Sequence, residues 1–578
     1  MISRREFLVS GAGAALASGL LPGVGLAAGH RRVSRASLAG LTAPSAQQIE
    51  ALRVLGRTSL RMPGALPHPA LAAGTDTLPR IEHVVVLMME NHSYDNLFGM
   101  LGRIPGERAR GNGFRIASDG YPANSNPQAD GKPLRAFHMP STCQLSSQPS
   151  QEWVACHEQY NGGRNNGFVT SPSGEAAMGY WDQYDLPFTY GLAKEFPIGD
   201  HWFCSVLGQT YPNRRYLIAG TSMGMVDDNQ VALLGEPAKN GTIFNQFTTH
   251  GISWKDYYAE YPNQTAATPN LYAANDFPWQ PTNGASLRQF HTDAANGSLP
   301  SFSLLEPNYS VSSQENPQNI IRGEALLSQV VKAIGHSPKW KQTALIITYD
   351  EHGGYYDHVP PPAALAPDNI APVPPEPGDS TYDGFKRYGF RVPSVIVSPY
   401  AKRRHVSHKV YDHTSILAFV ERKWNLPALT LRDANANDLT DFFDVSAMAS
   451  GRPTFPRLPK LAKEGEDAST LRCDSTGAGA IPPRNPRPEH VQIVSAKASG
   501  RRRGVVVRLR ASAGEQHHAT LQLRHGSKVV ASRRLALITG NTQERVLRVH
   551  GHLPPAGHYE AVVLKGHHRL ARHSVTVR

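Results

Sequence analysis

Two apolar runs that stop abruptly on acidic residues constrain this chain more than anything else in it. Ile81-Glu82-His83 leads into Val84–Met89, and that run ends at Glu90-Asn91 with a polar turn, His92-Ser93-Tyr94-Asp95, behind it. Thr343–Tyr349 repeats the design and ends at Asp350-Glu351-His352-Gly353-Gly354. Continuous apolar runs of this kind suit strands buried on both faces, as in a parallel sheet covered by helices. Ligands of such sheets sit at the carboxyl ends of the strands. Carboxylates delivered to a buried strand end are strongly unfavourable unless something pairs with them. The two strand ends are therefore expected to meet across one metal ion.

The remaining elements fit that frame. Helical patterns at Tyr184–Phe196, Glu324–Ile334 and Thr414–Trp424 alternate with apolar runs at Phe302–Glu306 and Val392–Ser398. That alternation predicts an α/β domain over 79–450, with a doubly wound, mainly parallel sheet. At 578 residues the chain exceeds one core. Residues 29–78 read as a leader draped over the domain, with a helical pattern near Ala46–Leu55. The polar insert from Gly102 to Thr170 carries Trp153, Tyr160 and Phe168, which either shape a substrate pocket or pin the insert to the core. Residues 240–300 are aromatic-rich (Trp254, Tyr257, Tyr258, Trp279), and 360–377 is a proline-rich loop.

Residues 451–488 have linker composition. Beyond them, Gly504–Arg510, Ala519–Leu523, Arg545–Val549 and Tyr559–Leu564 alternate apolar with polar residues. They predict a small all-β sandwich of immunoglobulin-like type over 489–578. From residue 485 onward there are 17 Lys and Arg against 4 Asp and Glu, close to the whole chain's excess of +12. The charge thus belongs to the tail, which argues against nucleic acid as the partner of the main domain. The tail either docks on anionic lipid headgroups, binds polyanionic cell-envelope material, or is an evenly charged soluble module.

Ser3-Arg4-Arg5-Glu6-Phe7-Leu8 and the weakly apolar, Gly/Ala-rich run after it predict a twin-arginine signal peptide over 1–28, with small residues at Gly25-Leu26-Ala27. A periplasmic or secreted location follows as an expectation. Of the four cysteines, none has zinc spacing, and in an oxidising compartment Cys143 and Cys156 are placed to close a small loop.

Glu90, Asn91, Asp350 and Glu351 form an all-oxygen donor set, which prefers Ca²⁺, Mg²⁺ or Mn²⁺ to zinc. In Gly208-Gln209-Thr210-Tyr211-Pro212-Asn213-Arg214, Pro212 marks a first helical turn. Thr210 would then present a hydroxyl at a helix N-terminus, where N–H groups favour a phosphate oxyanion, and Arg214 would add a planar donor fork. A hydroxyl nucleophile beside a metal is the pattern of phosphoryl transfer through a covalent intermediate.

Glu90–Gly99, Thr210–Arg214 and Tyr349–Val359, in this order, resemble the bacterial phosphoesterase family, which contains non-haemolytic phospholipases C and an acid phosphatase within the alkaline phosphatase superfamily. The resemblance covers roughly 80–430. It implies a nucleophile matching Thr210 and a divalent metal held at Glu90, Asn91, Thr210, Asp350 and Glu351. The TxPxR run is also similar to the CxPxR of sulfatases, but threonine cannot become formylglycine. Two departures stand out: the family's His-x-Trp is here Gln151-Glu152-Trp153, and its His-Pro is here Asn316-Pro317. Gln151 and Asn316 can bind a phosphate but cannot cycle protons near neutral pH. His157, His352, His358 and His413 are the spare histidines, with His413 expected in catalysis and His352 and His358 in substrate binding. The resemblance implies a phospholipase C acting on phosphatidylcholine-like lipids. An acid-phosphatase-like phosphomonoesterase comes next, then a catalytically weakened phosphoester- or lipid-binding surface protein.

Overall fold

The run that ends at Glu90 is a strand with every residue buried, β1 (His83–Met89). The computed structural model describes residues 44–464 and 491–578, apart from 104–106, 118–120, 140–141, 145–148, 184, 229–237, 260–282, 512–518, 536–541 and 566–567. The signal segment, the start of the leader, most of the linker, Cys473, Tyr184 and Trp279 lie outside the described residues.

Seven further strands join β1 in one sheet: β2 (Ile198–Gly199), β3 (Trp254–Tyr258), β4 (Gly284–Ser286), β5 (Phe302–Glu306), β6 (Thr343–Tyr349), β7 (Ser394–Val397) and β8 (Val406–Ser407). Their spatial order is β8-β2-β7-β6-β1-β5-β3-β4. All neighbours are parallel except β7, which is antiparallel to both β6 and β2. The sheet is mainly parallel, as expected, and β1, β5 and β6 sit at its centre. The helices include α1 (Ala46–Val54), α2 (Trp153–Tyr160), α3 (Pro187–Glu195), α4 (Thr210–Ala219), α5 (Ile320–His336) and α6 (Thr414–Trp424). In α5, Ile320, Leu327, Val330, Val331 and Ile334 are buried, the spacing of a helix laid on a sheet.

The leader helix α1 is stapled by a capping box, Ser45 with Gln48, and packs Ala51, Leu52 and Leu55 against Leu365. Residues 451–464 extend the α/β domain rather than starting a free linker. Phe455 is buried and its carbonyl accepts the Trp340 indole N–H (3.1 Å), while Glu464 accepts from Ser328 and Lys332 (3.1 Å each).

The tail forms two antiparallel sheets, of three strands (491–499, 504–511, 542–547) and four (519–525, 528–535, 557–565, 568–577), around one apolar core. The strands at 491–499, 528–535 and 568–577 were hidden in the sequence by their Lys, Arg, Ser and His. One expectation is corrected: Cys143 is disulfide-bonded, but Cys156 is a free buried thiol, so those two do not pair. No helix among the described residues is long and apolar enough to cross a membrane.

Candidate active site

Register brings the first acidic residues together. Met89 lies opposite Tyr349, and the Asp350 N–H donates to the Met89 carbonyl (3.1 Å), so Glu90 and Asp350 leave adjacent strand ends side by side. Asn91 then turns the chain with φ 72°, a left-handed conformation that asparagine tolerates better than most residues. The turn after β6 closes over it. Gly353 has φ +66°, and a Cβ there would stand 1.9 Å from the Asn91 carbonyl oxygen. A Cβ on Gly354 (φ +74°) would likewise stand 2.6 Å from the Ser150 backbone N and O, which seats the segment carrying Gln151 on the Asp350–Gly354 turn.

Thr210 is the first residue of α4 and is fully buried. Asn213 fastens the loop leading to it. Its Oδ1 accepts the N–H groups of Ser205 (2.8 Å) and Val206 (3.1 Å), and its Nδ2 donates to the Gly208 and Gln209 carbonyls (3.0 Å each). The Thr210 hydroxyl lies against the Asp350 carboxyl, close enough to help hold it down, yet has no well-formed hydrogen bond of its own. Asn91 Oδ1 is likewise buried without a hydrogen-bond partner among the described residues. Glu90, Asn91, Thr210, Asp350 and Glu351 are all buried at or beside these strand ends, and Asn91 Oδ1 and the Thr210 hydroxyl lack a well-formed hydrogen bond there. That donor chemistry fits a hard dication.

The helix N-terminus does not offer the expected oxyanion site. The Tyr211 N–H donates to Asp228 Oδ1 (2.7 Å), the Asn213 N–H to the Gln209 carbonyl (3.4 Å), and Pro212 has none to give. Arg214 also departs from expectation. Its guanidinium is buried among carboxylates, with Nη1 3.0 Å from Glu306, Nε 3.4 Å from Asp350 and Nη2 3.6 Å from Glu90. Nη2 further donates to the Met88 carbonyl (3.3 Å). Arg214 is an internal counter-ion to the strand ends, not a free fork for phosphate. Burial works against its charge, but Glu306, Asp350 and Glu90 together push its pKa up.

Glu306 was overlooked as a site residue. It ends β5, the strand beside β1, and it accepts from the Tyr309 hydroxyl as well as from Arg214. The signal was there: Phe302–Leu305 is a third apolar run that stops on an acid. Three neighbouring strands, β6, β1 and β5, each deliver a carboxylate to the same edge. Burial pushes Asp350 up to about 6, against the pull of Arg214, while Glu315 pushes it in the same direction.

The histidines are held in supporting places. His413 Nε2 donates to the Asp350 carbonyl (2.6 Å), and burial lowers its pKa to about 4. It is a neutral prop behind Asp350, with its Nε2–H committed to that carbonyl. His352 donates from Nε2 to Gln159 Oε1 (2.7 Å), and its Nδ1 stands 3.4 Å from Glu351; burial lowers it to about 3. With its one N–H committed to Gln159, the neutral ring has no donor left for Glu351. His358 is not brought to the cluster at all: its ring bonds Asp95 (2.6 Å) and Asn112 (3.2 Å) beside Arg391. His157 donates to the Trp153 carbonyl (2.8 Å) and stacks on Tyr382 at 3.7 Å. Asn316 accepts from the Tyr355 hydroxyl (2.8 Å) next to Glu315, and Gln151 is buried.

A model of the phosphoesterase family matches residues 81–427, the stretch that carries every one of these strand ends. The chain belongs to the phosphoesterase family. It is 29% identical over 463 residues to phospholipase C B of Mycobacterium tuberculosis, covering 71% of this chain and 87% of that protein. Non-specific phospholipase C3 of Arabidopsis thaliana is 28% identical over 458 residues, with 71% and 84% covered. Non-hemolytic phospholipase C of Pseudomonas aeruginosa is 29% identical over 465 residues, with 73% and 64% covered. Among solved structures, a Vibrio parahaemolyticus protein of the alkaline phosphatase superfamily aligns with TM-score 0.34 and 11% identity, over 68% of this chain and 78% of that one. As a family member the chain is a hydrolase acting on phosphoric ester bonds.

Proposed function

We propose that this phosphoesterase is an exported phospholipase C that cleaves phosphatidylcholine-like lipids through Thr210. The observation that carries the reading is the buried Thr210 hydroxyl, unpartnered and set against Asp350 at the meeting of the β1 and β6 ends. Phospholipase C is the activity in the names of the relatives quoted above, and the twin-arginine pattern supports export.

Glu90, Asn91, Thr210, Asp350 and Glu351 would hold a divalent ion, with Ca²⁺, Mg²⁺ or Mn²⁺ favoured by the oxygen donors. Such an ion lowers the pKa of a bound hydroxyl and screens phosphate charge. The chain supplies the rest. Thr210 Oγ1 attacks phosphorus, its P–O bond forms as the bond to the glycerol oxygen breaks, and diacylglycerol leaves. Water then releases the phosphorylated headgroup from Thr210. Arg214 keeps Glu90 and Asp350 in place, and Gln151 and Asn316 hold phosphate oxygens.

Leaving-group protonation is the weak part. Neither Gln151 nor Asn316 can supply a proton, and His352 and His413 are neutral. That feature favours, as second readings, a phosphomonoesterase whose leaving group is easier to expel, or a slow phosphoester-binding protein. The basic tail supports contact with an anionic surface. The test is turnover of p-nitrophenylphosphorylcholine and p-nitrophenyl phosphate, with Thr210→Ala and a chelator as controls. Hydrolysis of the choline diester, lost in both controls, is the expected result. Turnover of the monoester alone replaces the phospholipase reading, and activity retained in Thr210→Ala removes the nucleophile.

A further inference from the structure

A second group of metal-ligating side chains stands at the same sheet edge, outside the phosphoester cluster. Asp200 follows β2 and His408 follows the edge strand β8, and the two strands pair in parallel with Gly199 opposite Ser407. The pairing sets Asp200 and His408 side by side, and His201 turns back onto them. His201 Nδ1 and His408 Nδ1 each lie 2.9 Å from the same oxygen, Asp200 Oδ1. The three ligand atoms all fall within 4.8 Å of one another.

The scaffold is fixed. The Asp200 N–H donates to the Ser407 carbonyl (3.1 Å), the Tyr411 N–H to the His201 carbonyl (3.0 Å), and Asp200 Oδ2 accepts the Asn112 N–H (2.8 Å). Asp200 itself is buried, while His201 is partly and His408 largely exposed on the wall of an open cavity of about 1020 Å³.

Two other clusters have similar composition. Asp95, Asp357 and His358 already hold a cation, since Arg391 reaches all three (3.2, 2.8 and 3.4 Å). His138 and Asp185 form a closed, buried pair (2.7 Å). Around Asp200, Arg391 donates to its backbone carbonyl (2.8 Å), and three further cations of the cavity wall have other partners. Arg110 donates to the carbonyls of Lys194, Phe196 and His405, Arg404 pairs with Glu195, and Lys194 with Glu107.

We propose that Asp200, His201 and His408 form a second metal site that takes a first-row transition-metal dication of the Zn²⁺, Co²⁺ or Ni²⁺ class. Two imidazoles and one carboxylate are the donors such ions prefer, unlike the all-oxygen cluster at β1 and β6. Three protein ligands leave the remaining positions open to the cavity for water or an anionic ligand. A bound ion would also clip β8 to β2 at the sheet edge.

The test uses the full chain in excess Mg²⁺, which fills oxygen sites but competes poorly for imidazole. Co²⁺ is titrated by calorimetry and visible absorption against wild type, His408→Gln and His201→Ala/His408→Ala. The proposal expects one Co²⁺ per chain with a nitrogen-and-oxygen ligand spectrum. Affinity should fall about tenfold or more in His408→Gln and binding should vanish in the double variant, with phosphoester turnover unchanged. His408 is 71% exposed, so its substitution leaves the core intact if the double variant misfolds. An isotherm that His408→Gln does not alter, or no Co²⁺ uptake by wild type, overturns the site.

Discussion

Replacing Arg214 by methionine should destabilise the metal-free protein far more than the metal-loaded one. The guanidinium stands 3.0, 3.4 and 3.6 Å from Glu306, Asp350 and Glu90, all of them buried. At an effective dielectric of about 20, each contact is worth about 5 kcal/mol of Coulomb attraction before desolvation. Removing one partner of a buried ion pair typically costs about 3–5 kcal/mol, because the other charge is left uncompensated. Here three carboxylates would be stranded, and partial protonation of Asp350, already pushed up to about 6, would absorb part of the loss. The expected loss for Arg214→Met without metal is therefore about 3–5 kcal/mol. A dication held by Glu90 and Asp350 restores positive charge at the same place, so the loss should shrink to about 1–2 kcal/mol in saturating Mg²⁺ or Ca²⁺. Urea unfolding followed by tryptophan fluorescence suits the question, because all seven tryptophans lie at or before Trp424 and report only the α/β domain. Equal losses with and without metal would refute the counter-ion role, as would a metal-free loss below about 1 kcal/mol.

Stability should also fall as the solution is acidified. Burial holds His92, His157 and His413 at about 4 and His352 at about 3, so each is neutral in the fold. Their contribution is complete above the unfolded value of about 6.5 and is lost as pH falls toward 4. At pH 5 each costs about 2 kcal/mol, and a melting temperature that stays flat from pH 7 to 5 would contradict this. Asn316→His should raise kcat on p-nitrophenylphosphorylcholine by at least about tenfold if leaving-group protonation is the missing element; an unchanged kcat means another group donates that proton. Gly353→Ala should abolish turnover and lower stability by several kcal/mol, since its Cβ would meet the Asn91 carbonyl at 1.9 Å in a left-handed backbone. Near-normal activity in that variant would show that the turn yields without moving Asn91.

The acidic half of the site was legible because it is written in strand ends. An apolar run followed by Glu90-Asn91 or Asp350-Glu351 states both burial and chemistry, and the observed register joins the two. Thr210 was legible for a similar reason: Pro212 fixes the helix start, so the hydroxyl's place followed. What sequence could not show is who pairs with whom. Arg214 looks like a phosphate fork until Glu306, Asp350 and Glu90 are seen around it. His157, His352 and His413 look available for chemistry until their partners, two backbone carbonyls and a glutamine, are seen. The antiparallel course of β7 escaped notice because strand direction depends on the connection and leaves little mark on Ser394–Val397. In the tail, strands such as Lys528–Leu535 alternate too weakly to stand out among basic residues.

The most direct test of the account is to trap the intermediate it requires. Rapid acid quenching during turnover of p-nitrophenylphosphorylcholine, followed by peptide mass spectrometry, should find a phosphorylcholine adduct on Thr210 and none in Thr210→Ala. Turnover that proceeds with the adduct on another residue, or with no adduct while Thr210→Ala stays active, would contradict it.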